Sequence, residues 1–219
     1  MHIAVVGGNG KIARLLHPLL VRAGHRPVAL VRREEHRADL EASGAEVRLL
    51  DIERSGTEAF VDAFEGCDAV IFSAGGGPDG NVERKRTVDL EGSLKSIDAA
   101  RERGIRRFVQ VSAINVENPP PPDSAPAWAA YVAAKRDADV ALRASGLDWT
   151  IIRPGRLTDD PATGLVELTS DAAHADVTRA DVAAVLAAVV GRDDTVGRQW
   201  NLVAGDVPVA DAVDRAVTH

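Results

Sequence analysis

Tyr131 and Lys135 stand four residues apart in the stretch Tyr131-Val-Ala-Ala-Lys135, and Ser112 ends the upstream run Arg107-Phe-Val-Gln-Val111. Residues four apart share one face of a helix, so this phenol and this ammonium would point into the same space. A phenol titrates near 10 and is a poor acid–base group at neutral pH. A lysine ammonium beside it favours the phenolate. A tyrosine tuned in this way can hand a proton to a carbonyl oxygen while hydride reaches the carbon, with Ser112 hydrogen-bonded to that oxygen. Tyr131 is the one tyrosine of the chain. The same spacing also suits a half-buried Tyr and a snorkelling Lys on an ordinary helix surface.

Such chemistry needs a hydride carrier, and residues 2–14 have the order that holds one. Ile3, Ala4, Val5 and Val6 form an unbroken apolar run, as in a parallel strand covered on both faces. Gly7, Gly8 and Gly10 follow, and then Ile12, Leu15, Leu16, Leu19 and Leu20 recur at helical spacing. Strand, glycine turn and helix N-terminus together cradle a pyrophosphate. Two registers fit, Gly7-x-x-Gly10-x-x-Ala13 and Gly8-x-Gly10-x-x-Ala13, with Ala13 small enough for helix-on-strand packing. The residue ending the second strand selects between dinucleotides. An acidic side chain there binds a ribose 2′-hydroxyl. Here Arg32 and Arg33 stand instead, and a guanidinium forks onto a 2′-phosphate. NADP is therefore favoured over NAD. Both arginines would also serve as solvated surface charge.

The chain has 219 residues, 45% of them hydrophobic and 27% charged, which suits one large α/β domain over residues 1–219. A net charge of −7 argues against nucleic acid or an anionic membrane as partner. The longest apolar stretch, Val182 to Val190, is too short to span a bilayer. A strand at the extreme N-terminus leaves no room for a signal peptide, and one cysteine, Cys67, allows no internal disulfide. These features predict a cytoplasmic protein without a metal-ligand cluster among its six histidines. The oligomeric state and the substrate are not readable. Cys67 reads as buried filler.

Strands are expected at Pro27–Val31, Glu46–Leu50, Asp68–Phe72, Arg107–Val111, Trp149–Arg153 and Gln199–Val203. Helices are expected at Glu34–Ser43, Thr57–Glu65 with Thr57 as N-cap, Asn81–Arg103, a stretch from Ser124 and Pro126 to Gly146, Thr178 onward, and Pro208–Val217. Residues 156–175 look irregular apart from a short strand at Leu165–Leu168. The Pro119–Pro122 run reads as a stiff surface loop, either a rim or a spacer. Regular alternation implies a doubly wound, mainly parallel sheet of Rossmann type with helices on both faces. Residues from about 153 on supply a small substrate-facing portion. The expected core includes Ile3, Val5, Val6, Leu30, Val70, Ile71, Phe108, Val109, Val111 and Ile151. Asp51 and Ile52, and the glycine loop Ser73–Gly77, fall at the C-terminal strand edge where ligands bind.

Gly7-Gly-Asn-Gly-Lys-Ile-Ala13, Leu30-Val-Arg-Arg33, Asp51-Ile52, Phe72-Ser-Ala-Gly75, Phe108-Val-Gln-Val-Ser112, Tyr131-x-x-x-Lys135, Arg153-Pro-Gly155 and Thr178-Arg-Ala-Asp-Val182 occur in the order seen in atypical short-chain dehydrogenase/reductases. The chain most resembles their subgroup of NAD(P)H-binding, NAD-dependent epimerase/dehydratase-like proteins. The resemblance implies that Gly7, Asn9, Gly10, Lys11 and Ile12 line a pyrophosphate, and that Arg32 and Arg33 meet the 2′-phosphate. It puts Asp51 and Ile52 at the adenine, Ser73, Ala74 and Gly75 along the cofactor, and Pro154 and Gly155 near the nicotinamide. Lys135 would reach the nicotinamide ribose. Asp89 falls where many relatives carry an asparagine. The implied activity is an NADP-dependent oxidoreductase with a small carbonyl, quinone or flavin acceptor, Tyr131 donating the proton and Ser112 and Lys135 supporting it. The alternatives are a non-catalytic, NmrA-like redox-sensing module and, with less support, a nucleotide-sugar epimerase or dehydratase.

Overall fold

The computed structural model describes residues 1–77 and 80–218. Its elements run β1 (His2–Val6), α1 (Lys11–Arg22), β2 (Arg26–Val31), α2 (Arg37–Ala42), β3 (Glu46–Leu49), α3 (Thr57–Ala63), β4 (Ala69–Phe72), α4 (Val82–Arg84), α5 (Glu91–Glu102), β5 (Arg107–Val111), α6 (Pro126–Ala144), β6 (Asp148–Pro154), β7 (Arg156–Thr158), β8 (Leu165–Thr169), β9 (Asp176–Thr178), α7 (Arg179–Val189), β10 (Arg198–Ala204), β11 (Val207–Pro208) and α8 (Val209–Thr218). The main sheet has the order β11-β8-β10-β6-β5-β4-β1-β2-β3, and β7 pairs separately with β9. Every pairing from β3 across to β10 is parallel, and β8 then runs antiparallel to both β10 and β11. The strand order reverses between β1 and β4, which leaves a crevice outside their C-terminal ends. The fold is thus the doubly wound α/β sheet that the alternating pattern implies.

Alternation within β1 divides the core into two layers. Ile3 and Val5 face α1, α7 and α8 together with Val109 and Ile152. Ala4 and Val6 face α3 and α5 with Phe60, Phe64, Val70 and Phe108. All ten expected core residues are buried. Cys67 is buried as expected, and burial pushes its thiol pKa up.

Several local expectations needed correction. Thr57 is the first helical residue of α3, and Gly56, in extended backbone, is the N-cap. Glu34–His36 is a separate 3-10 turn before α2. β6 continues through Pro154, which the sequence suggested would end it; proline is tolerated there as the last strand residue. β7, β9 and β11 are two or three residues long, too short to show a period. The expected Asn81–Arg103 helix is interrupted: Asn81 caps α4 by accepting from the Arg84 N–H, and Lys85–Leu90 is wound as a π turn before α5.

Candidate cofactor and active site

The turn after β1 is built so that its backbone, not side chains, fills the crevice. Gly7 takes a left-handed φ of +81°, and a Cβ on it would lie 2.8 Å from the Ala74 Cα. A Cβ on Gly8 would lie 2.8 Å from the Ala29 Cα, so this glycine serves close packing on β2. Gly10 is the N-cap of α1, and the first turn of that helix has no acidic residue. Its leading N–H groups and its dipole therefore face the crevice without a competing side-chain anion. Ala13 is fully buried, as the packing role requires. His17 donates from Nε2 to the Gly8 carbonyl at 2.7 Å and pins the turn from below. Burial, helped by Arg14, outweighs that hydrogen bond and holds the His17 pKa below its ordinary value, so the ring stays neutral.

Gly7, Asn9, Gly10, Arg32, Arg33, Asp51, Ile52, Ser73, Ala74 and Gly75 come together around a cleft of about 350 Å³. Leu30, Val31, Leu50 and Val88 give it apolar walls. Asn9 Oδ1 and Ser73 Oγ are buried with no hydrogen-bond partner among the described residues. Buried polar atoms are seldom left so, and these two fit a ligand that brings hydroxyl and phosphate groups along this edge. The glycine cradle, the orphan atoms and the arginines together suit a dinucleotide. At the far end Arg32 Nη1 lies 3.5 Å from Glu53 Oε2, and Arg33 pairs with Glu35 at 3.1 Å. Asp51 Oδ1 accepts from the Glu53 and Arg54 N–H groups and so fixes its own turn.

Other expected residues stand outside that cleft. The Lys11 side chain is exposed and bonds Asp159, which also pairs with Arg179. Ile12 points into the core, so what either residue brings to the crevice is its backbone N–H. Gly155 lies where a Cβ would come within 1.9 Å of the Ala175 carbonyl oxygen; a neighbouring chain crossing already accounts for the glycine. Pro154 is buried in β6.

Tyr131 and Lys135 do share one face of α6. The Lys135 Nζ is 5.9 Å from the Tyr131 ring centre. Lys135 is buried, donates to the carbonyls of Val111 at 3.1 Å and Ala74 at 3.3 Å, and pairs with Asp89 Oδ1 at 3.2 Å. Burial alone would lower the pKa of this lysine, but Asp89 and, less strongly, Tyr131 and Asp139 raise it above the ordinary value. Asp89 Oδ2 accepts from the Gly76 N–H at 2.8 Å, tying the loop after β4 to the π turn. The Tyr131 phenol differs from expectation. Burial raises its pKa, Asp89 and Asp139 add to the rise, and Lys135 offsets only part of it. The lone tyrosine is thus held protonated, and its hydroxyl has no hydrogen-bond partner among the described residues.

Ser112 also differs. Its Oγ donates to Asp139 Oδ2 at 2.7 Å, so its proton is not directed at a ligand. Asp139 is fully buried and also accepts from Gln110 Nε2 at 2.7 Å and from Arg153 Nη2 at 2.8 Å. Ser93 donates to Gln110, and Arg153 reaches Glu117 at 2.9 Å. Asp89, Asp139, Arg153, His17, Lys85 and Glu53 are the site-supporting residues that spacing did not single out for these roles. Asp139 lies one turn after Lys135 on the buried side of α6, and that i, i+4 spacing from the lysine was the signal that could have found it.

The sequence profile described as NAD(P)H-binding matches residues 7–193. The Bacillus subtilis protein YhfK, named an uncharacterised sugar epimerase, is 40% identical over 216 residues, covering 98% of this chain and all of that one. A solved structure from Bacillus halodurans, provisionally named an NAD-dependent epimerase/dehydratase, superposes with a TM-score of 0.91 at 38% identity, covering 98% of this chain and 99% of that one. ChuY from Escherichia coli O157:H7, an anaerobilin reductase, superposes with a TM-score of 0.73 at 26% identity, covering 94% and 98%.

Proposed function

The chain belongs to the NAD(P)H-binding family, and from that premise we propose that it is an NADPH-dependent reductase of a small carbonyl, quinone or flavin acceptor, with Tyr131 as proton donor. The observation that carries this reading is Tyr131 itself. It is a phenol kept protonated by burial, its hydroxyl without a hydrogen-bond partner among the described residues, and its ring centre lies 5.9 Å from the Lys135 ammonium, which donates to the Ala74 carbonyl at the cofactor cleft. Bound NADPH would supply the hydride. The Gly7–Gly10 turn and the leading N–H groups of α1 hold its phosphates. Asn9 and Ser73 offer their orphan oxygens to it. Arg32 and Arg33 favour the 2′-phosphate over a bare ribose, since exchanging exposed pairs with Glu53 and Glu35 for a dianion costs little. Lys135 steadies the wall between the cleft and Tyr131. A relative of similar fold that is a reductase, ChuY, supports the same class of reaction.

A second reading rests on the two committed side chains. Ser112 gives its proton to Asp139, and Lys135 has acceptors for its ammonium within the protein. That arrangement also suits a module that binds NADP and passes on its redox state without turnover. The deciding experiment follows NADPH oxidation with carbonyls, quinones and free flavins, using wild type and Tyr131→Phe. NADPH binding by fluorescence verifies a folded site. Turnover that collapses in Tyr131→Phe supports the reductase. Turnover that is unchanged removes Tyr131 from the mechanism, and binding without turnover in either protein favours the sensing module.

A further inference from the structure

Lys85 sits in the π turn with only 7% of its surface exposed. Its ammonium donates to the Gly77 carbonyl and lies 5.9 Å from the Tyr131 ring centre. Among the described residues it has no carboxylate partner. Asp89, on the same turn, is paired with Lys135, and Glu83 is paired with Arg86. Among the described residues this buried cation meets only a carbonyl and an aromatic face, and a buried cation is stabilised by an anion that pairs with it. On the other side of Tyr131, Trp128 is half exposed, its ring 5.5 Å away and tilted by 31°. An exposed indole leaning on a phenol is a platform for a flat molecule. The cation and the platform therefore flank the same proposed proton donor.

We propose that Lys85 is the anion-recognition residue of the acceptor site. The acceptor is a flat, conjugated molecule that rests against Trp128 and Tyr131 and carries a carboxylate or phosphate group that pairs with Lys85. This deepens the reductase reading and rests on its placement of the acceptor at Tyr131. The pairing of Lys85 with an acceptor, and not with the cofactor, follows from its position: it is absent from the lining of the cofactor cleft, while Arg32 and Arg33 are part of it.

FMN and riboflavin share one ring system and differ by a phosphate, so they separate the two contributions. Their binding to the NADP-saturated protein is read by quenching of flavin fluorescence, for wild type, Lys85→Met and Lys85→Arg, at low salt. The wild type binds FMN at least tenfold more tightly than riboflavin. Lys85→Met binds both alike, with riboflavin affinity unchanged, and Lys85→Arg keeps most of the preference, which shows that the fold survives substitution. Equal behaviour of the two flavins in the wild type, including no binding of either, overturns the proposal, as does a preference that survives in Lys85→Met. A loss of NADPH affinity in Lys85→Met assigns the cation to the cofactor's phosphates and overturns it too. This titration reads binding alone, so FMN held through Lys85 leaves the assignment standing even where the separate NADPH-oxidation assay shows no hydride transfer and refutes the reductase reading.

Discussion

Lys135 Nζ and Asp89 Oδ1 lie 3.2 Å apart where neither side chain is more than 5% exposed. One comes from α6 and the other from the π turn, so a buried ion pair joins two separate elements across the site. Asp89 also holds the Gly76 N–H, and Lys135 also holds Ala74 and Val111. Four segments meet at two side chains.

Removing one charge of such a pair strands the other in a poorly solvated place. Asp89→Asn is expected to cost about 3 kcal/mol of stability, measured by urea unfolding, because the Lys135 charge loses its partner. The double variant Asp89→Asn with Lys135→Met should recover part of that loss. Strictly additive losses would mean that the two residues are not coupled.

Ser112 and Tyr131 should separate in kinetics. Ser112 gives its proton to Asp139, so Ser112→Ala is expected to lower kcat/KM by less than about tenfold. Tyr131→Phe removes the proton donor and should lower it by about 100-fold or more for a carbonyl acceptor. A serine effect as large as the tyrosine effect would show that Ser112 turns toward the substrate.

The pH dependence follows from the sign of the tyrosine shift. Tyr131 must be protonated to donate, and its pKa is raised by burial and by two carboxylates. The acid form therefore persists on the alkaline side, and kcat/KM for reduction should stay level from about pH 6 to about pH 9. A decline centred near neutrality would mean that bound cofactor and Lys135 reverse the shift.

Arg32→Ala should weaken NADPH binding about tenfold while leaving NADH binding within about twofold, read by fluorescence titration. The Glu53 carboxylate now paired with Arg32 adds a second test. Glu53→Gln removes a competitor for the guanidinium and should tighten NADPH.

The parallel sheet and its core were legible because they depend on local patterns, whereas the strand order was not read from the sequence. The run Ile3–Val6, the glycines after it and the helical spacing that follows can each be read from a few adjacent residues. The cleft residues from Gly7 to Gly75 were legible for the same reason: each ends a recognisable strand. What escaped depends on contacts across the fold. Asp139 meets Ser112 from 27 positions away, and Lys135 reaches Ala74 from 61. No spacing rule reveals where a serine sends its proton. The rise in the Tyr131 pKa had a similar origin, since burial outweighed the neighbouring lysine that the sequence made visible.

The π turn at Lys85–Leu90 accommodates one residue more than a regular helix would at that place. That surplus rotates the start of the helix by about 100° relative to α5. Shortening the turn by a single residue would give a smoother and more robust helix, yet it would swing Lys85 away from Tyr131. The irregularity is therefore a setting of aim: this stretch of chain stays less regular than it could be, and in return the Lys85 ammonium faces the Tyr131 ring.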